Sequence, residues 1–598
     1  MSYPRQIMRK IFSLAFLAFA PLHAEQAPAV IDFLWGVKIP MRDGIRLNAT
    51  VFKPKAMPAP LPVVFTLTPY IADSYEDRAS YFARHGYVFA LVDVRGRGNS
   101  EGGFEPFANE ARDGYDIVEW LARQPWSNGK VAMWGGSYAG FDQWATLKEH
   151  PPHLATIVPA AAAAAAVDFP FSNGMFTSYI VQWLTYTSGK TGNPKQFGDS
   201  TFWSEKFRER YTRNLPFREL DRMVGNTSTV FQKWMDHPQP DDYWDAMYPT
   251  PEQFAQIDIP ILTITGYYDG DQTGALHYYR DHMRYGSPAA RGRHNLIVGP
   301  WDHAGTRTPN RDVGGLKFGE ASLLDLNNLH REWYDWTMKD GPKPAFLKQR
   351  VAWYAVGPEE WKYAASLEAV ANRTRTLYLN STDGQANDAL HSGTLGPEKP
   401  AALPAASVPD RYVYDPLDLR PGALETAGNP NYLTDQTEPL NLFGDGLIYH
   451  SAPFAEDTEI SGAVRLEVWI AMDVPDTDFE VNLYEILPNG GSVLLTGDAM
   501  RARYRDSTRK PSPVESGQIV KYEFHGFTWF SRRIAKGSRL RLMLRSPNSI
   551  QVEKNYNSGG VVASESAEDA RTAHIALYHD ARHASFLELP IVSGAPSR

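Results

Sequence analysis

The chain has 598 residues, a formal net charge of −9, 43% hydrophobic and 22% charged residues, and no cysteine. That length exceeds what one hydrophobic core organises, so two or three globular domains are expected. The absence of thiols excludes disulfides, thiolate metal sites and cysteine nucleophiles, and an acidic balance without a basic run of five or more residues argues against a nucleic-acid partner.

In chain order, Arg5, Arg9 and Lys10 precede an apolar stretch at 11–22 that ends in His23-Ala24-Glu25. A basic start, a short apolar stretch and a small residue spell a secretory signal peptide over 1–24. The stretch is shorter than the roughly 20 apolar residues a bilayer requires, so an uncleaved anchor is the rival reading and no stable membrane anchor is expected after cleavage. The mature protein is expected in a periplasm or outside the cell.

Residues 33–54 alternate apolar and polar positions around Arg42-Asp43-Gly44, the signature of a hairpin. Nearly continuous apolar runs follow at 62–68, 87–94 and 131–134, as strands buried on both faces require, with a helical pattern at 108–124 between them. The alternation predicts a doubly wound parallel sheet, which resumes at 259–266 and 295–299. The interruption, 167–250, has aromatic residues such as Tyr179, Trp183, Phe231 and Trp234 at helical spacing and reads as a helical cap. The alanine run at 160–166 before it reads as a packed element end. Beyond 345, short β-like runs at 351–356, 376–379, 463–470, 479–486, 540–544 and 574–578 predict a β-sandwich, with a Pro-rich loop at 396–409. The expected plan is therefore an α/β core at 25–166 and 251–345, a cap at 167–250 and an all-β domain at 346–598.

Trp134-Gly135-Gly136-Ser137-Tyr138-Ala139-Gly140 lies between a buried strand and a helical stretch at 141–150, the setting of a nucleophile elbow, although Ala139 stands where G-x-S-x-G has its last glycine. A serine hydroxyl needs a base and an orienting carboxylate. Asp269 follows the strand at 261–268, and His303 follows the strand at 295–299 and the short run Pro300-Trp301-Asp302. Taken singly, Asp269-Gly270 could be a turn and His303 a structural histidine. Together they stand beyond successive core strands in the order Ser, Asp, His, where open α/β sheets form their crevice. Gly96-Arg97-Gly98 lacks the spacing of a dinucleotide loop and reads as a turn, no H-E-x-x-H or P-loop is present, and neither metal nor cofactor is expected.

The sequence resembles the cocaine esterase and X-Pro dipeptidyl-peptidase family of serine hydrolases over nearly its whole length. The resemblance rests on Val92-Asp93-Val94-Arg95-Gly96-Arg97-Gly98-Asn99-Ser100-Glu101-Gly102, Asp113-Gly114-Tyr115-Asp116, Gln124-Pro125-Trp126-Ser127-Asn128-Gly129-Lys130-Val131 and the form G-x-S-Y-x-G at Gly135 to Gly140. It implies an α/β-hydrolase core, a helical cap and a C-terminal jelly roll. It also implies an oxyanion hole built from the backbone N–H of Tyr138 and the hydroxyl of Tyr70, donors of a kind worth about 3 to 4 kcal/mol each.

The expected substrate is a small-molecule ester or amide. The family also contains X-Pro aminopeptidases, α-amino-acid ester hydrolases and acylases. Asp271 matches an acidic position of the amino-ester hydrolases and could face a substrate amine, or be merely solvated or structural. Gln272 replaces their second acid, and 170–175 lacks their Asp pair. From another class, a non-catalytic glycan-binding protein with a silent core remains the alternative.

Overall fold

The computed structural model describes residues 30–400, 408–437, 440 and 442–593, so the expected leader and positions 401–407 of the Pro-rich loop lie outside the described residues. Ten strands form the central sheet: β1 (Ile31–Pro40), β2 (Arg46–Pro54), β3 (Leu61–Thr68), β4 (Val88–Asp93), β5 (Ser127–Ser137), β6 (Leu154–Ala162), β7 (Ile261–Tyr268), β8 (His294–Asp302), β9 (Val351–Ala355) and β10 (Glu360–Ala364). Their order across the sheet is β1-β2-β4-β3-β5-β6-β7-β8-β9-β10. The hairpin read around Asp43-Gly44 is β1 and β2, antiparallel to each other and, through β2, to β4. From β4 to β9 all neighbours run parallel, and β10 returns antiparallel.

The continuous apolar runs have a direct cause, since successive residues of a strand point to opposite faces and both faces are covered. Val63 and Phe65 of β3, with Val88 and Ala90 of β4, face one layer with Ile117, Leu121 and Trp144. Val64, Phe89 and Leu91 face the other, with Phe82 and Trp333. The covering helices include α1 (Glu76–Arg84), α2 (Glu110–Ala122) and α3 (Tyr138–Leu147).

Between β6 and β7 the chain leaves the sheet for a short hairpin, Phe171–Ser172 with Met175–Phe176, and for helices including α4 (Tyr179–Tyr186), α5 (Ser200–Thr212) and α6 (Thr229–Met235). Asp199 and Ser228 cap α5 and α6 by accepting the N–H groups of Phe202 and Phe231. Trp183, Trp203, Phe207, Trp234 and Trp244 are buried together in this segment. The core resumes with β7, α7 (Gln272–Tyr285), β8 and α8 (Leu326–Met338).

One strand differs from the sequence reading. The run at 351–356, expected to open the β-sandwich, supplies β9, which pairs in parallel with β8 through Leu296, Ile297 and Val298. All five residues of β9 are buried, the state of a strand covered on both faces.

The described residues beyond β10 are mainly β, with a short helix at Arg420–Leu424 and thirteen strands in one hydrogen-bonded sheet. Leu466, Val468 and Ile470 point into its core while Arg465, Glu467 and Trp469 alternate outward. A buried ionic cluster joins this domain to the inserted segment. Arg501 binds Asp478 and Glu553 at 2.8 Å each and donates to the Gly174 carbonyl at 2.6 Å, while the Phe176 N–H donates to Glu553 at 3.2 Å. Ser178 is bonded to the carbonyls of Ile550 and Gln551. No described helix is long and apolar enough to cross a membrane.

Candidate active site

Ser137 is the last residue of β5 and directly precedes α3, with φ 62° and ψ −127°. A non-glycine residue in this region is strained by about 1 to 3 kcal/mol, and the turn lifts its hydroxyl off the sheet edge. The displaced glycine of the motif has a steric explanation. A Cβ on Gly140 would lie 2.9 Å from the Ala160 carbonyl oxygen and the Ala162 Cα, so helix and strand could not approach. The Ala139 methyl is accommodated because Gly135 opposite it has no side chain; a Cβ there would come within 2.6 Å.

Asp269 follows β7 and His303 follows β8. The His303 Nδ1 lies 2.8 Å from Asp269 Oδ1. Asp269, whose side chain is fully buried, also accepts from the Thr265 hydroxyl at 3.1 Å and the Asp271 N–H at 3.0 Å. Its carboxylate is thus fixed on three sides. Burial opposes charge on His303, but the charge and hydrogen bond of Asp269, with a smaller contribution from Asp271, outweigh it and raise the imidazole above its ordinary range.

Ser137, His303, Tyr70, Tyr138 and Asp271 line one cavity of about 420 Å³. Its walls are largely aromatic, with Phe107, Phe169, Tyr179 and Trp183 joining the two tyrosines. Burial raises the Tyr70 phenol still further above the physiological range, against hydrogen bonds with Ser137 and Trp183 that lower it, so the phenol stays a neutral donor. The Trp183 indole donates to the Tyr70 hydroxyl at 3.0 Å. Tyr138 opens α3, and its N–H is one of the helix-terminal donors without an intrahelical partner. Arg97, read as part of a supporting turn, is wholly buried and donates to Pro69, Ser188 and Gly189, tying the segment before Tyr70 to the inserted helices.

Asp271 lies 3.7 Å from His303 Nδ1. Burial pushes its carboxyl up to about 6, with His303 opposing and Asp269 adding to the shift. Gln272 is turned away into a structural role, donating to the Gly266 and Trp529 carbonyls and accepting the Trp529 N–H. A second acid comes from Asp168, which lines the same cavity. It accepts the N–H groups of Ala164 and Gly274, and burial followed by the Asp271 charge pushes it well above the carboxylate range. Nothing in its sequence context marks Asp168, because an aspartate next to an alanine run reads as an ordinary turn. Asp269, Asp271 and His303 bring ligand atoms within 4.8 Å of one another, the spacing a cation would need. Both Asp269 oxygens are already engaged by His303, Thr265 and the Asp271 N–H.

The family described as X-Pro dipeptidyl-peptidase (S15 family) matches residues 43–305, and the X-Pro dipeptidyl-peptidase C-terminal non-catalytic domain matches 334–588. The cocaine esterase of Rhodococcus sp. (strain MB1 Bresler) is 26% identical over 581 residues, 93% of this chain and 98% of that protein. Among solved structures, an α-amino acid ester hydrolase matches with a TM-score of 0.81 at 22% identity over 96% of this chain and 99% of that one. An aminopeptidase from a marine sediment Thaumarchaeota archaeon matches with a TM-score of 0.79 at 23% identity over 97% and 99%. With an α/β-hydrolase core, a C-terminal all-β domain and these matches along most of its length, the chain belongs to the cocaine esterase and X-Pro dipeptidyl-peptidase family of serine hydrolases.

Proposed function

We propose that this protein is an exported esterase that cleaves small-molecule carboxylic esters through a Ser137–His303–Asp269 triad. The observation that carries the reading is the shared cavity, onto which a strained serine, a carboxylate-tethered imidazole and the Tyr70 phenol all open. With Nδ1 held by Asp269, the Nε2 of His303 takes the Ser137 proton as the hydroxyl attacks the ester carbonyl. The Tyr70 hydroxyl and the Tyr138 N–H receive the developing oxyanion. His303 then passes its proton to the leaving alcohol, and water repeats the cycle to free the acid from the acyl-enzyme. Asp269 orients the imidazole and stabilises its cation. Labelling by a fluorophosphonate tests the nucleophile: it is expected in wild type and lost in Ser137→Ala, and a labelled Ser137→Ala sinks the assignment. Export rests on the leader at 1–24, and an intact Met1 on the exported protein would overturn cleavage.

A second reading is favoured by Asp168 and Asp271, two acids on a mostly aromatic cavity. An ammonium beside them would recover the charge that burial suppresses, as an α-amino ester or an N-terminal dipeptide supplies. Paired aryl esters with and without an α-amino group, set beside a Gly-Pro amide, separate the readings. Preference for the amine-free ester supports the first, and turnover of the amide alone overturns it.

A further inference from the structure

Glu110, the first residue of α2, is almost wholly buried, and its hydrogen-bond donors are neutral. The Tyr138 hydroxyl donates to its Oε1 at 2.8 Å, and the Asn109 N–H donates to its Oε2 at 3.0 Å. The same hydroxyl accepts the Phe107 N–H at 2.6 Å. The Tyr138 ring is therefore held at both ends, by the elbow at its backbone and by the carboxyl at its hydroxyl. One face stacks on Trp183 at 5.5 Å between centroids, and Trp183 is the group that donates to Tyr70. Phe107, whose own backbone is in the left-handed region at φ 68°, meets the ring at 5.0 Å and lines the cavity. Both proposed oxyanion donors thus lean on this ring, one as its own N–H and the other through the indole.

We propose that Glu110 is a positioning residue of the oxyanion hole, holding the Tyr138 hydroxyl so that the first turn of α3 and the indole behind Tyr70 keep their places. The proposal rests on the serine-hydrolase mechanism given above. Asp113 on its own helix and Asp142 on α3 interact with Glu110 through charge, and Asp142 has both carboxyl oxygens buried without a partner. Neither replaces the bond to Tyr138. A misplacement of order 1 Å in such a site costs about a hundredfold in rate.

The test measures steady-state hydrolysis of p-nitrophenyl acetate and fluorophosphonate labelling for Glu110→Ala, Glu110→Gln, Tyr138→Phe and the Glu110→Ala/Tyr138→Phe pair. Glu110→Ala is expected to lower kcat about ten- to a hundredfold with KM within about threefold of wild type. Glu110→Gln, which keeps an acceptor oxygen for Tyr138, restores kcat to within about threefold. Tyr138→Phe matches Glu110→Ala, and the pair falls no further. Wild-type kcat in Glu110→Ala, or in Tyr138→Phe should the alanine variant not fold, overturns the proposal, as does a loss confined to KM or one that Gln does not rescue. Failure of the triad itself shows separately, as persistent labelling of Ser137→Ala.

Discussion

Two sets of buried charge meet the cost of desolvation with different partners. At the junction of the all-β domain with the inserted segment, Arg501 is 3% exposed and lies between Asp478 and Glu553, while Asp476 holds Arg503 and the Asn555 amide. Opposite charges and hydrogen bonds offset much of the cost of burial there, although burial still raises the Glu553 carboxyl against the pull of Arg501. Around the cavity, Asp271, Asp168 and Glu110 have no such cation among their hydrogen-bond donors, and burial moves each of them towards the protonated form. The difference separates a fastening from a candidate site. Paired charges hold parts together, whereas acids that exchange protons near neutrality respond to what enters beside them.

The contrast can be broken from either side. The largest effect is expected from Ser137→Ala, with kcat/KM for an activated ester falling about 10⁴-fold or more and no loss of stability in urea unfolding. Arg501→Ala leaves two buried carboxylates without their cation and should cost about 3 to 5 kcal/mol, read as a lower urea midpoint; an unchanged midpoint would show the junction to be no fastening. Tyr70→Phe removes one proposed oxyanion donor and should lower kcat about 10²- to 10³-fold while labelling of Ser137 persists. The smallest effect is a displaced profile. As the proposed base, His303 works only when neutral, so activity should fall as pH drops through its raised value, and Asp271→Asn, which removes a charge that raises it, should shift this limb to lower pH. The same variant tests linkage. Asp271 titrates at about 6 in the folded chain, above the roughly 4 of an unfolded aspartate, so its share of stability is present at low pH and lost as pH rises through that window. Asparagine should flatten the loss, and an identical stability profile would count against the raised value of Asp271.

Much of the core was legible because buried parallel strands write themselves as unbroken apolar runs, and residues just beyond their carboxyl ends are where chemistry gathers. Ser137, Asp269 and His303 could be read that way. The same rule misled at 351–356, because an apolar run of that length fits a sandwich strand as well as a parallel one, and only its hydrogen bonds to β8 decide. Trp183 and Tyr179 were visible as packing residues of a helical segment, but spacing cannot tell which aromatic faces a cavity. Asp168 and Glu110 were hidden for a different reason. Their importance lies in burial without a cation, which depends on what long-range folding brings near.

The seat of Ser178 on the Ile550 and Gln551 carbonyls, with Val552 bridged to Thr177, makes a cavity wall depend on residues synthesised 372 positions and more after Ser178. Thr177 and Tyr179, on either side of that seat, both line the cavity. A growing chain therefore carries its serine long before it can build the enclosure around it. On the proposed mechanism turnover becomes a report of completion: a clipped or half-made molecule holds the proposed nucleophile yet lacks the room in which a substrate could wait for it.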